Sequence, residues 1–119
     1  MARKHFEWKF RDKLIQLGER TLIVGVLNVT PDSFSDGGKY SDPDRAFARA
    51  VEMEEEGADL IDIGAESTRP GSVRISEAEE LRRLVPVLKR LRNKLTVPIC
   101  VDTYKSGVAV KALEVGADI

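Results

Sequence analysis

Gly57-Ala58-Asp59-Leu60-Ile61 returns 59 residues later as Gly116-Ala117-Asp118-Ile119. In each copy a glycine closes a helical pattern and an apolar run opens a strand, so the interval measures a repeat of the chain. Two strand–helix units of roughly thirty residues fill it, the size of a βαβ step. The second copy opens a fourth strand at about Ala117, which reads the chain as the front part of a longer protein.

Three strand-like runs surround this echo. Leu22-Ile23-Val24-Gly25-Val26-Leu27 is continuously apolar, as expected of a strand covered on both faces in a parallel sheet. Leu60-Ile61-Asp62-Ile63-Gly64 and Val97-Pro98-Ile99-Cys100-Val101 follow the same pattern. After each comes a helical pattern. The first has Asp42 as N-cap, Pro43 at its first position, Gly57 as its stop and Phe47, Ala50 and Val51 as its apolar face. The second opens with Ser76 and Glu79 at capping-box spacing and runs to Leu95 on a leucine and valine stripe. Its early acids and late bases match the helix dipole, and Pro86 is expected to kink or divide it. The third spans Ser106 to Val115 and stops at Gly116. Residues 1–20 form a separate segment, in which Trp8 to Arg20 reads as a hairpin turning at Gly18-Glu19. Residues 21–119 form the main unit.

The 119 residues and 13.2 kDa suffice for one domain with its own core and are too few for two. Charged residues make up 33% and hydrophobic ones 42%, which is ordinary for a globular protein and argues against a disordered chain. A formal net charge of -1 gives bulk charge no part in nucleic-acid or membrane binding, so neither partner is expected. The first twenty residues carry six Lys or Arg against three acids, a bias that suits a solvated surface. The single cysteine, Cys100, excludes an internal disulfide and any multi-cysteine metal centre, and reads as a small buried hydrophobe. The single histidine, His5, reads as a surface residue and removes a Ser-His triad within this chain. The longest apolar stretch, Thr21 to Val29, is too short to cross a bilayer, and no signal-peptide core follows the basic start. A cytoplasmic address is the expectation.

Repeated βα units fit either a doubly wound sheet or a (β/α)8 barrel, and both gather their sites at the carboxyl ends of strands. The first junction lacks a G-x-G-x-x-G fingerprint, which counts against a dinucleotide site. In a barrel of eight units and about 250 residues, three units and a fragment are present. Three polar clusters stand where such a site would form. They are Asn28 to Gly38, Glu66 to Ser72, and Asp102-Thr103 with Lys105-Ser106 beyond. Strand alternation puts Val26 with Asn28, Leu60 with Asp62, and Cys100 with Asp102, so Asn28, Asp62 and Asp102 converge on one polar mouth if those faces line the interior.

Each cluster also has a plainer reading. Asp36-Gly37-Gly38 is a turn signal, although a loop of about fourteen residues in a compact domain tends to be a lid or binding loop. Ser67-Thr68-Arg69-Pro70-Gly71 fits a turn with an exposed arginine, and equally a fork for phosphate oxygens. Asp62 has an alternative as a capping or pairing group inside the barrel. A carboxylate at Asp102, following an apolar strand, must be paired, solvated at a mouth, or reserved for a ligand, and a flat heterocycle with adjacent N–H donors is a natural partner.

Leu27 to Gly38 closely resembles the first signature of the dihydropteroate synthases, and Asp62 to Gly71 resembles their second. Val101-Asp102-Thr103 with Lys105 resembles their third-strand motif, and the likeness runs from about Gly18 to Ile119. The resemblance implies a (β/α)8 barrel of the pterin-binding family. The reaction it implies joins 4-aminobenzoate to 6-hydroxymethyl-7,8-dihydropterin diphosphate, releasing diphosphate before the pterin methylene is attacked. It implies Mg2+ and diphosphate at Asn28, the pterin ring at Asp102, and the pterin and diphosphate near Thr68 with Ser67 and Arg69 beside it. Asp36, Phe34 and Pro70 are implied in loops that complete the aminobenzoate pocket, with Asp36, Asn28 and Asp102 the catalytic set. The full-length protein is implied to be a homodimer with small-molecule substrates. The family's further Asn, Asp, Lys, Arg and His come from later strands that these 119 residues lack, so the isolated chain is expected to be inactive. Two other readings stay open: a non-catalytic pterin- or diphosphate-binding fragment that needs a partner chain, and a pterin-binding methyltransferase.

Overall fold

The computed structural model describes residues 3–30, 42–67 and 70–119. A two-stranded antiparallel hairpin, β1 (Phe6–Phe10) and β2 (Lys13–Leu17), precedes a three-stranded parallel sheet of β3 (Val24–Asn28), β4 (Leu60–Gly64) and β5 (Ile99–Asp102). Helices α1 (Pro43–Glu55), α2 (Glu77–Leu91) and α3 (Ser106–Val115) follow the three parallel strands in turn. The strands lie in chain order, and α1 packs on α2 and α2 on α3.

Local chemistry accounts for most boundaries. The Asp42 carboxylate accepts from Asp44 N at 2.9 Å with Pro43 at the first helical position, and Ser76 Oγ accepts from Glu79 N at 3.1 Å. Pro86 neither divides nor ends α2. Proline lacks an amide hydrogen for the Arg82 carbonyl one turn back, and both residues lie on the water-facing side, where solvent satisfies that carbonyl. The helix does stop four residues before the expected Leu95. Asn93 takes a left-handed φ of 61° and ends it, while Leu95 still packs into the core. The hairpin turns at Arg11-Asp12, with Arg11 at φ 54°, rather than at Gly18-Glu19. The strand pair therefore lies earlier than the turn residues suggested.

The echoed segments do the same work twice. Gly57 and Gly116 sit at φ 106° and 131°, conformations that cost a side-chain-bearing residue about 1 kcal/mol or more. The following amides of Asp59 and Leu60 both donate to Ile23 O, at 2.7 and 3.3 Å. Those of Asp118 and Ile119 donate to Ile99 O at 2.8 and 3.2 Å. Each aspartate then accepts from the same neighbouring residue: Ile23 N donates to Asp59 at 2.8 Å and Ile99 N to Asp118 at 2.9 Å. A cation from the amino-terminal segment neutralises each, Arg20 on Asp59 and Lys13 on Asp118. The Gly-Ala-Asp repeat is thus a strand-starting clamp, and its second copy aligns Asp118-Ile119 beside β5 as the start of the expected fourth strand.

The core lies between the sheet and the helices. Leu27, Ile61, Ile63 and Ile99 meet Ala46, Ala50, Leu84, Val87, Leu88 and Val108, all buried. Full burial of one such aliphatic side chain is worth about 1.5–3 kcal/mol. The other face of the sheet is open, with Val24 49% and Val26 59% exposed. The radius of gyration is 14.8 Å, against the ~13.5 Å expected of a closed globule this long. Helices on one face and an uncovered opposite face are what part of a barrel presents. Among the described residues, no helix is long and apolar enough to cross a membrane.

Candidate functional site

Strand register settles which side chains share the open face. Asn28, Gly64 and Asp102 are partners in one row across β3, β4 and β5, and Val26, Asp62 and Cys100 form the next row. In-register residues of parallel strands point the same way, and residues two apart share a face. All six therefore line the uncovered face, with the Asn28–Asp102 row at the carboxyl ends of the strands. The expected convergence of Asn28, Asp62 and Asp102 holds, with Asp62 one row deeper.

Gly64 supplies no side chain to the upper row, so a gap separates Asn28 from Asp102; an added Cβ there would lie 3.8 Å from Asn28 Oδ1. Neither the Asn28 side-chain amide nor the Asp102 carboxylate has a hydrogen-bond or ion-pair partner among the described residues, and both residues are exposed. An amide and a carboxylate on either side of a notch, with all their hydrogen-bonding capacity free, can take a ligand carrying both oxygens and N–H donors. Asn28 offers one neutral hard oxygen. Among the described residues no group of three His, Cys, Asp or Glu side chains could hold a metal ion. The donor set therefore fits Mg2+ only in the manner of an ion that keeps waters and shares substrate phosphate oxygens.

Asp62 has no hydrogen-bonding or ion-pair partner among the described residues, so the alternative of a paired interior carboxylate is not realised there. Burial, reinforced by the nearby Asp102 charge, pushes its carboxyl above the ordinary 3.8. The native chain then binds more protons than the unfolded chain between the two pKa values. Stability falls as pH rises through that window and stays lowered above it. Asp62→Asn removes the penalty, so the variant should melt higher than its parent at neutral pH, and the two should converge below pH 3.8. Thermal denaturation at both pH values checks this, and a parent that melts higher at neutral pH contradicts it. Cys100, in the same row, is half-buried rather than buried; burial and then the Asp62 and Asp118 charges push its thiol up to about 11, an inert group. His5 is exposed, as expected.

Of the remaining expected site residues, Phe34, Asp36, Thr68 and Arg69 lie outside the described residues. Pro70 is exposed, and Ser67 O accepts from Ser72 Oγ at 2.8 Å. The sequence reading missed the group beneath it. Lys105 Nζ donates to Glu66 at 2.6 Å and to Glu80 at 2.7 Å, and Glu80 is buried. A signal was present, since Glu80 falls on the apolar stripe with Leu84 and Leu88 at four-residue steps. An acid on a buried stripe demands a cation.

A family model of pterin binding enzymes matches residues 24–119. The chain is 57% identical over 101 residues to dihydropteroate synthase of Bacillus subtilis, across 85% of this chain and 35% of that protein. A Yersinia pestis dihydropteroate synthase in complex with a sulfonamide drug matches with a TM-score of 0.88 and 46% identity, over 94% of this chain and 40% of that one. A Xanthomonas albilineans dihydropteroate synthase with 4-aminobenzoic acid matches with a TM-score of 0.84 and 44% identity, over 94% and 41%. The chain spans between about a third and two-fifths of the length of these three relatives. Those synthases are (β/α)8 barrels, and the three βα units here are a part of such a barrel, not a closed one. On the match over most of its length, this chain belongs to the pterin binding enzyme family.

Proposed function

We propose that this chain supplies part of the active site of a dihydropteroate synthase. The reaction joins 4-aminobenzoate to 6-hydroxymethyl-7,8-dihydropterin diphosphate. The carbon–oxygen bond to diphosphate breaks with its electron pair, the aniline nitrogen bonds the exocyclic methylene, and that nitrogen loses a proton. The observation that carries this reading is the free Asn28 and Asp102 in one row at the strand ends, in a chain whose solved relatives include one holding 4-aminobenzoic acid.

In this reading Asp102 accepts N–H donors of the pterin ring and fixes its plane. Asn28, across the Gly64 gap, faces the diphosphate and would help hold Mg2+. When bound, Mg2+ supplies charge neutralisation for the leaving diphosphate. Ser67, Thr68 and Arg69 belong beside the pterin and diphosphate, and Phe34, Asp36 and Pro70 to loops that exclude water from the cationic methylene. A cytoplasmic address and a homodimer of the full-length protein belong to the same proposal. The first is supported by the lone cysteine, and the second by the family resemblance.

The test incubates the full-length gene product with both substrates and Mg2+ and follows dihydropteroate by mass spectrometry. Product that disappears in Asn28→Ala supports the assignment; no product from the parent protein overturns it. A second reading, binding without catalysis until a partner chain covers the sheet, is favoured by the open face at Val24 and Val26. Product formed only after a carboxyl-terminal fragment is added would select it.

A further inference from the structure

We propose that Lys105 is a positioning residue that fixes the exit of β4 at Ser67 against Asp102 of β5, acting through Glu66 with Glu80 as its anchor; this rests on the synthase reading above. Lys105 follows Asp102 by three residues, and Glu66 immediately precedes Ser67, so the 2.6 Å bond between them joins two of the expected substrate-binding segments. Glu66 is held from three sides. Lys105 Nζ and Ile75 N donate to its Oε2, and Tyr104 Oη donates to its Oε1 at 2.8 Å. Ile75 lies beyond the loop, so both ends of residues 66–75 converge on one carboxylate.

Glu80 makes the arrangement rigid rather than merely attractive. It projects from the first turns of α2 and is 1% exposed, and Lys105 is its hydrogen-bonding partner. A carboxylate so buried is tolerable only while that ammonium stays within reach, which pins Lys105 and through it Glu66. From the same helix, Arg83 Nη1 donates to Ala65 O at 2.9 Å, a second hold on the strand exit. A cleft of about 110 Å³ is lined by Glu66 and Glu80 of this cluster together with Asp102, Thr103 and Tyr104. Neither Lys105 nor Glu66 is needed to touch substrate. A loop displaced by about 1 Å misplaces Ser67 relative to Asp102, and such a shift costs up to about 100-fold in rate or affinity.

The variant is Glu66→Gln, which keeps the Lys105–Glu80 pair and therefore the fold, with Lys105→Arg as the conservative partner. The full-length protein is assayed for dihydropteroate formation, and amide hydrogen exchange is followed in the same preparations. The expected result for Glu66→Gln is a KM for dihydropterin diphosphate raised about 10-fold or more, with kcat within about 2-fold of the parent. Exchange should quicken at Ser67 and residues 72–75 but not in β3 or α1, and Lys105→Arg, which keeps a cation between Glu66 and Glu80, should stay closer to the parent than Glu66→Gln does. Lower thermal stability with unchanged KM and unchanged local exchange would mean a structural role only and would overturn the proposal. If the parent protein makes no dihydropteroate, the synthase reading fails while the exchange comparison still decides whether Lys105 positions the strand exit.

Discussion

On the proposed synthase reading, replacing Asp102 by alanine in the full-length protein should lower kcat/KM for dihydropteroate formation by about 30- to 5,000-fold without lowering the melting temperature. The first half follows from what the carboxylate is free to do. It accepts no bond from the protein among the described residues, stands at a strand end beside a gap, and so keeps its capacity for a ligand. Truncating one partner of a desolvated charged hydrogen bond costs about 2–5 kcal/mol, and each 1.36 kcal/mol is tenfold in rate. The second half follows from Asp62. Its proton affinity is raised partly by the Asp102 charge, so deleting that charge relieves a repulsion instead of breaking a contact. Steady-state kinetics with a melting curve on the same preparation decides. A variant that loses stability and activity in proportion would make Asp102 a structural residue.

Ile63→Ala should cost about 2–5 kcal/mol of folding stability, whereas Val26→Ala in the same 119-residue chain should cost less than about 0.5 kcal/mol. Both residues are aliphatic and lie on adjacent strands one row apart, so propensity does not separate them. Ile63 faces the helices and is fully buried, while Val26 faces the open side at 59% exposure. Deleting Ile63 leaves a cavity behind the strand that carries Asp62 and Gly64, so loosened packing there reaches the site row. Urea denaturation of the two variants measures the contrast. Equal losses would mean that the face carrying Asn28 and Asp102 is covered in solution, by a second copy or by another part of the protein.

The strands, the helices and their order were legible because each carries a local signal: apolar runs at the strands, Asp42-Pro43 and Ser76 at the helix starts, and glycines at the stops. The Gly-Ala-Asp echo was legible as a period, but its physical job was not. That Asp59 and Asp118 each accept from the strand start beside them depends on long-range register, which no local pattern encodes. The hairpin turn was misplaced for a related reason. Gly18 is the ordinary turn residue, yet the chain reverses at Arg11-Asp12, where Arg11 bonds back to Leu113 O and approaches Asp118. Tertiary charge pairing outweighed turn propensity.

The site was legible in part. Alternation along each strand put Asn28, Asp62 and Asp102 on one face, and the register agrees. Alternation could not show that Asp62 sits a row lower without a partner, or that Gly64 opens the gap in the upper row. Glu66, Glu80 and Lys105 meet across 14 and 25 residues of sequence, and the packing of α2 against α3, whose N-cap is Lys105, brings Glu80 and Lys105 together. Stripe analysis marks Glu80 as anomalous without naming its partner, because a stripe fixes a face and not what lies opposite.

The most direct measurement is a crystal structure of the full-length protein with dihydropterin diphosphate and Mg2+. Pterin ring nitrogens are expected within about 3.2 Å of the Asp102 carboxylate, with the diphosphate on the Asn28 side of the Gly64 gap. A pterin bound elsewhere, with Asp102 and Asn28 still facing solvent, would contradict that placement.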